Sequence, residues 1–354
     1  MSKGNILVAP LNWGLGHATR CIPIINALKK EDYTPIIASD GKALDLLRKE
    51  FPELEYYKLP ALKIKYSKRG FWLKFNLMFQ GYKLYKTIKQ EQKFIKKLVL
   101  EKSLKGIISD NRLGMFHKAV PNAIITHQIK VFSGGTTWLT SKLHRFFIHK
   151  YDECWIPDNK DKPHLSGRLG HVKKTSLNLK YIGILSRFQP KAIDIKYDVL
   201  ILISGPESQR QVFEDIMLKE FSAYKGKAVL VRGKVEDEQN EYDVGDIKVI
   251  NYLKSKELET LIQQSEVVIA RSGYTTLMDM AKLNKKALFI PTPKQTEQQY
   301  LAMSMKKHGI APYAQQRKFN LNMLGDAKLY DGLGRFFVSD DIVLRNAFTL
   351  FERK

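Results

Sequence analysis

Two cysteines, Cys21 and Cys154, are all that the 354 residues contain, and they stand far apart without the spacing of metal ligands. That leaves no disulfide framework and no visible zinc site, and reduced thiols in a reducing compartment are expected. No window approaches the roughly 18 to 20 apolar residues of a membrane-crossing helix. The first residues carry one Lys and a short apolar run that leads into a Gly-rich turn, with no small-residue cleavage site. They read as a strand and not as a signal peptide. Long low-complexity tracts and repeats of roughly 20 to 50 residues are also missing, which argues against a solenoid.

Acidic residues are scarce: 36 Asp and Glu face 59 Lys and Arg, a formal charge of +23. So large an excess of one sign calls for an anionic partner, whether nucleic acid, anionic lipid or a phosphorylated substrate. No nucleic-acid reader motif accompanies the charge, so nucleic acid is not expected. The excess is concentrated, since Leu62 to Lys102 holds 12 Lys or Arg against Glu91 and Glu101. Within that segment Met78, Tyr82, Tyr85, Ile88, Ile95 and Leu98 recur near helical spacing, and Phe71, Trp72, Leu73 and Phe75 lead into it. Such a stretch suits an interfacial helix on an anionic membrane surface, with a core-packed helix bearing a solvated basic face as the alternative.

Length and a 44% hydrophobic content point to about two folded domains. Apolar strand-like runs alternate with helical patterns, which implies α/β architecture with parallel sheets. The expected organisation is a first domain at residues 1–165 including the basic segment 62–102, a polar linker at 166–197, a second domain at 198–335 and a final helix at 336–354.

Most of the candidate chemistry follows the strands, where parallel sheets bind ligands. Gly14 and Gly16 come after the first strand and admit a ligand close to the backbone, but Thr19 replaces the third glycine of a dinucleotide fingerprint. His17 beside them is a candidate base near neutral pH. Asp110 follows a later strand and either orients His17 or takes the proton itself. Arg112 reads as a capping or surface residue, and His127 and Gln128 follow the next strand. In the second half, Ser204, Gly205, Ser208 and Gln209 offer hydroxyls and backbone N–H groups to a diphosphate, with a helix starting near Arg210. Arg271, Ser272, Gly273, Tyr274, Thr275 and Thr276 break a strand and open a helix, a seat for phosphate. Asp279, about two turns on, is placed to accept from ribose hydroxyls, and Gln298 and Gln299 to grip sugar hydroxyls.

The stretch from Arg271 to Asp279, with the Pro291 loop, Gln298 and Gln299, resembles the donor-binding half of glycosyltransferase family 28. Members of that family include the N-acetylglucosaminyl transferase that forms lipid II and diacylglycerol glycosyltransferases. Gly14 to His17 resembles the family's acceptor-side loop, and Ser204 to Gln209 its phosphate loop. The resemblance implies a GT-B fold, two Rossmann-like domains facing across a cleft, with the final helix crossing back to the first. It implies inverting transfer from a nucleotide sugar, usually UDP-linked, to a hydroxyl, with no metal or other cofactor. His17 or Asp110 would deprotonate the acceptor and Arg271 would stabilise the leaving diphosphate. The backbone of Tyr252 and Leu253 would hold the base, with Arg232 in the donor set. A lipid or lipid-linked acceptor is implied, with the protein peripheral on the cytoplasmic face of the membrane through Leu62 to Lys102. A nucleotide-sugar epimerase of the same fold, or a non-catalytic basic protein binding nucleotide or nucleic acid, is the alternative. Thr126, His127, Gln128, Ile129 stand where the peptidoglycan enzymes have His-Glu-Gln-Asn.

Overall fold

The computed structural model describes residues 2–61, 73–132, 136–205, 207–234, 236, 238–336 and 341–352. Residues 62–72 of the basic segment, with Phe71 and Trp72, lie outside the described residues, as do Pro206, Asp340 and the side chains of 73–80, including that of Met78.

The first half folds in the order β1 (Gly4–Pro10), α1 (Gly16–Lys30), β2 (Tyr33–Ser39), α2 (Gly41–Glu50), β3 (Tyr56–Lys58), α3 (Leu73–Glu101), β4 (Leu104–Asp110), β5 (Asn122–Ile125), α4 (Thr137–Ile148), β6 (Glu153–Ile156) and β7 (Leu179–Tyr181). These strands form one parallel sheet in the order β3-β2-β1-β4-β5-β6-β7. Its central strands are continuous apolar runs because helices cover both faces. Ile6, Val8, Ile108 and Ile125 pack towards α1 and α2, whereas Leu7, Ala9 and Ile107 pack towards α3.

The second half contains β8 (Tyr197–Leu202), α5 (Glu207–Phe221), β9 (Ala228–Val231), β10 (Glu241–Val244), β11 (Ile247–Ile250), α6 (Ser255–Gln263), β12 (Ser265–Ala270), α7 (Tyr274–Lys282), β13 (Lys286–Phe289), α8 (Thr296–Lys307), α9 (Met323–Leu329) and α10 (Asp341–Ala347). Its sheet runs β10-β11-β9-β8-β12-β13, parallel except for the antiparallel edge pair β10-β11. In each sheet the strand order reverses beside one pair, β1 and β4 or β8 and β12, and a crevice opens at their C-terminal ends.

Three expectations are corrected. Residues 179–181, assigned to the linker, pair with β6 as an edge strand of the first sheet. Three half-buried residues carry too little apolar pattern to be read as a strand. Helix α5 begins at Glu207, so Ser208 and Gln209 belong to its first turn. From Ile88 onward α3 is core-packed through Ile88, Ile95, Leu98 and Val99, while Tyr82 and Tyr85, expected in the same apolar stripe, are exposed.

The end of the chain returns to the first sheet. Phe348 and Phe351 meet the rings of Tyr33 and Trp155 at centroid distances of 6.0 to 6.4 Å. The Phe351 ring occupies the space that any side chain at Gly106 would need, so this seam requires glycine there. No helix among the described residues is long and apolar enough to cross a membrane.

Candidate active site

The site is built where α1 of the first half meets α7 of the second. Gly14 turns the chain after β1 with φ +79°, and α1 starts two residues later. A Cβ on Gly16 would stand 2.8 Å from the Thr275 hydroxyl oxygen, so only glycine allows the two helix N-termini to approach this closely. The Thr275 hydroxyl donates to the Gly16 carbonyl at 3.3 Å.

His17, in the first turn of α1, lies with Nδ1 2.8 Å from Asp110 Oδ1 at the end of β4. Asp110 is fully buried and grasped by Arg20, whose Nε donates to Oδ2 at 2.5 Å and whose Nη2 donates to Oδ1. Burial pushes its pKa up, but Arg20 and His17 outweigh that and hold it at about 2. Asp110 is therefore a carboxylate that can only accept, and it fixes the His17 proton on Nδ1. Arg20 Nη2 also lies 2.9 Å from His17 Nδ1, yet it is a donor and cannot take that proton. The Nε2 lone pair is left to act as a base, and Asp110 stands behind it to stabilise the imidazolium. The two readings of the base are thereby separated: His17 is the group that can take a proton, and Asp110 orients it.

A second arm extends across the cleft. Arg20 Nη1 donates to His127 Nδ1 at 3.3 Å, and His127 Nε2 donates to Glu297 in the first turn of α8 at 2.8 Å. Burial lowers the His127 pKa. Burial also opposes ionisation of Glu297, but His127 and Gln128 prevail and keep its pKa below the ordinary value. Both directions fit a neutral imidazole donating to a carboxylate. The Tyr274 ring stacks on His127 at 4.0 Å and 3°, and its hydroxyl donates to the Pro157 carbonyl at 2.7 Å. Arg20 and Glu297 are thus candidate site residues absent from the expected set, and Tyr274, expected only as part of the phosphate-seating turn, packs on the acceptor side.

On the donor side most of the expected side chains are bonded within the protein. Arg271 is buried, and its guanidinium donates to the carbonyls of Ile290 at 2.9 Å, Pro291 at 3.3 Å and Gln209 at 3.2 Å, and to Gln316 Oε1 at 2.6 Å. It also stacks on Phe213 at 4.1 Å. Burial brings its pKa down to about 10, so it stays cationic at neutral pH. Arg271 therefore ties three loops together through Nη1 and Nη2. The Ser272 hydroxyl donates to the Gln298 carbonyl at 2.8 Å, and Gln298 Oε1 accepts from the Thr292 N–H at 2.8 Å. Gln298 Nε2 faces Gly273, whereas Gln299 is exposed.

Arg232 makes an ion pair with Glu214 at 2.8 Å. The Tyr252 N–H donates to Asn251 Oδ1, and Leu253 packs against the core. Asp279 lies within α7. It accepts from the Ser186 hydroxyl at 2.6 Å, and burial, opposed by Arg187, raises its pKa to about 6. Arg112 is also buried, held by Asp40 and by Glu91 of α3, so it is neither a cap nor a surface residue.

The backbone at α7 is more open. Gly273 caps the helix without a side-chain hydrogen bond, and the nearest atoms to a Cβ there would be Thr276 Oγ1 at 3.8 Å and Gln298 Nε2 at 4.0 Å. Across the gap are exposed Ser204 and Gly205, with φ +108° at Gly205, and the buried Thr292 hydroxyl, which has no hydrogen-bond partner among the described residues. Uncapped amides at a helix N-terminus attract anions.

Residues 202–329 match the family model described as glycosyltransferase family 28 C-terminal domain. The chain is a glycosyltransferase, and its residues 202–329 are similar to this domain. An uncharacterized glycosyltransferase of Methanopyrus kandleri is 22% identical over 308 residues, which cover 80% of this chain and 84% of the relative. Among solved structures, the glycotransferase of kitacinnamycin aligns with a TM-score of 0.64 at 13% identity, covering 99% of this chain and 94% of that one. LpCGTa in complex with UDP aligns with a TM-score of 0.63 at 10% identity, covering 99% and 100%. The fold is GT-B.

Proposed function

We propose that this glycosyltransferase transfers a sugar, with inversion and without a metal, from a UDP-linked donor to a hydroxyl of a lipid or lipid-linked acceptor at the cytoplasmic face of the membrane. The observation that carries the reading is the His17–Asp110 pair at the N-terminus of α1, directly opposite the uncapped N-terminus of α7. One end supplies a base and the other a seat for negative charge, as a displacement at a sugar C1 requires.

In the step, the acceptor oxygen attacks C1 while its proton passes to His17 Nε2. The C1–oxygen bond to the diphosphate breaks, and its electron pair leaves with the nucleotide. A single displacement inverts C1. The developing diphosphate charge rests on the amides that begin α7 and on the loop from Ser204 to Gln209, and Asp110 offsets the charge on the imidazolium. Asp279 contributes to holding the ribose through its remaining lone pairs, with the Gln298 amide and Gln299 on the sugar. The UDP bound by LpCGTa, which shares the fold, supports the nucleotide. The charge of +23 and the exposed lysines of α3 support a membrane-borne acceptor.

A ligand that binds only the folded protein raises its melting temperature. The test is thermal unfolding against UDP-, GDP-, dTDP- and ADP-sugars without divalent ions. A rise with UDP-sugars alone is expected. A rise with another nucleotide alone would replace UDP, and no rise with any would remove the donor site.

A further inference from the structure

Helix α8 presents two faces at its start. Gln298, on one of them, is bonded to Ser272 and Thr292 of the donor-side loops. Thr296 and Glu297 stand four and three residues before Tyr300, so these three share the other face. All three are bonded to the first half of the chain. The Thr296 hydroxyl donates to the Phe132 carbonyl at 2.6 Å, and Glu297 accepts from His127. The Tyr300 ring meets the Phe132 ring edge-on at 4.8 Å, and its hydroxyl accepts from the Arg168 N–H at 2.7 Å. Gly167, with φ +48°, permits this approach, because a Cβ there would stand 2.6 Å from the Tyr300 hydroxyl oxygen.

The turn that Tyr300 grips falls in the expected linker, yet it is braced on every side. Buried Asp158, two residues beyond β6, accepts from the N–H groups of Leu165 and Ser166 at 2.9 and 2.8 Å and from the Ser166 hydroxyl at 2.5 Å. The Leu169 and His171 N–H groups close the turn on the carbonyls of Ser166 and Gly167, each at 3.0 Å. Its far side is joined to the acceptor loop. The Leu169 carbonyl accepts from the Lys130 N–H at 2.9 Å, and a Cβ on Gly170 would stand 3.2 Å from the His127 carbonyl oxygen. A fixed turn thus stands between Tyr300 and the stretch that carries His127 and Gln128.

We propose that Tyr300 is a positioning residue for the acceptor: through the turn at 167–169 it sets the acceptor loop at a fixed distance from the sugar held at Gln298. Attack on C1 tolerates little error in the place of the attacking oxygen, so a brace spanning both subsites acts on the productive pose without touching either substrate. Glu297 reaches only the His127 side chain, whereas the bonds of Thr296 and Tyr300 end on backbone. The assignment rests on the acceptor-side and sugar-side readings of these residues, but the brace itself does not depend on sugar transfer.

The test uses the full chain and two variants. Tyr300→Phe keeps a ring against Phe132 and deletes the acceptor of the Arg168 N–H, and Tyr300→Leu removes both. Without nucleotide, the Arg168 and Lys130 amides should exchange with solvent about fivefold faster in the Phe variant, as expected for one lost neutral hydrogen bond, and faster again in the Leu variant. The α8 amides and the melting temperature of the Phe variant should stay at wild-type values. In turnover with a UDP-sugar and either octyl β-D-glucoside or dioctanoylglycerol, the Phe variant should lower kcat/KM for the acceptor about fivefold and leave the donor KM unchanged. Unaltered exchange at Arg168 and Lys130 in both variants would overturn the brace. Faster exchange with unaltered acceptor kcat/KM would leave a structural contact only, and a loss confined to the donor KM would place Tyr300 with the sugar; either overturns the positioning role. A wild type without any nucleotide-dependent melting shift would sink the proposed reaction and the positioning role with it, whereas the exchange rates alone would still decide the brace.

Discussion

The two ends of the cleft use their polar side chains differently. At the end of the first sheet, His17, Arg20, Asp110 and His127 are bonded to one another, side chain to side chain, and on to Glu297. At the end of the second, Arg271, Ser272 and Gln298 are bonded mainly to the backbone of neighbouring loops and helix ends. The first arrangement tunes a proton-transfer group. The second holds loops in place so that backbone amides face the cleft. Substitutions on the acceptor side should therefore act on turnover, and those on the donor side first on stability.

The largest effect is expected for Asp110→Asn. It removes the acceptor that fixes the His17 tautomer, and turnover should fall by about 10³-fold, measured as nucleotide release. It also strands the buried Arg20, so the melting temperature should drop. Because the Asp110 pKa is held at about 2, below its ordinary 3.8, its contribution to stability is present above pH ~4. That contribution is lost as pH falls from ~4 towards ~2, which acid unfolding of the wild type and the variant should reveal. Equal acid sensitivity of the two would count against the paired carboxylate.

Arg271→Ala comes next and sharpens the contrast. Four acceptors lose their donor, and stability should fall by about 3 kcal/mol in denaturant titration, with weaker donor binding only as a consequence. A variant of wild-type stability that fails to bind nucleotide would instead return Arg271 to the diphosphate. Gly16→Ala should cost about 1 to 3 kcal/mol by pressing on Thr275, and adding Thr275→Ala should recover most of it. No recovery would mean that α1 and α7 do not meet there. The smallest effect is expected for Glu297→Gln, about tenfold in kcat with the donor-induced melting shift kept, since only the orientation of His127 loosens.

The strand–turn–helix units at β1–α1, β12–α7 and β13–α8 were legible because each is an apolar run ended by glycine or proline. Local pattern sufficed there. What could not be read was pairing at long range. Arg20 meets Asp110 across 90 residues, and His127 meets Glu297 across 170, so neither contact leaves a periodic trace. Arg20 looked like any basic residue on a helix of a basic chain. Glu297 stands beside two glutamines whose residue type suggests sugar binding more directly. Arg271 stands in a turn that the sequence marks, but a sequence cannot show which way a guanidinium points, and here it points inward.

The most direct measurement compares wild type and His17→Ala in two assays on the same preparations: the melting shift with a UDP-sugar, and acceptor-dependent UDP release. The expected result is an equal shift in both proteins, with release cut by roughly 10²-fold or more in the variant. Full release by the variant, or no acceptor-dependent release by the wild type, would contradict the account.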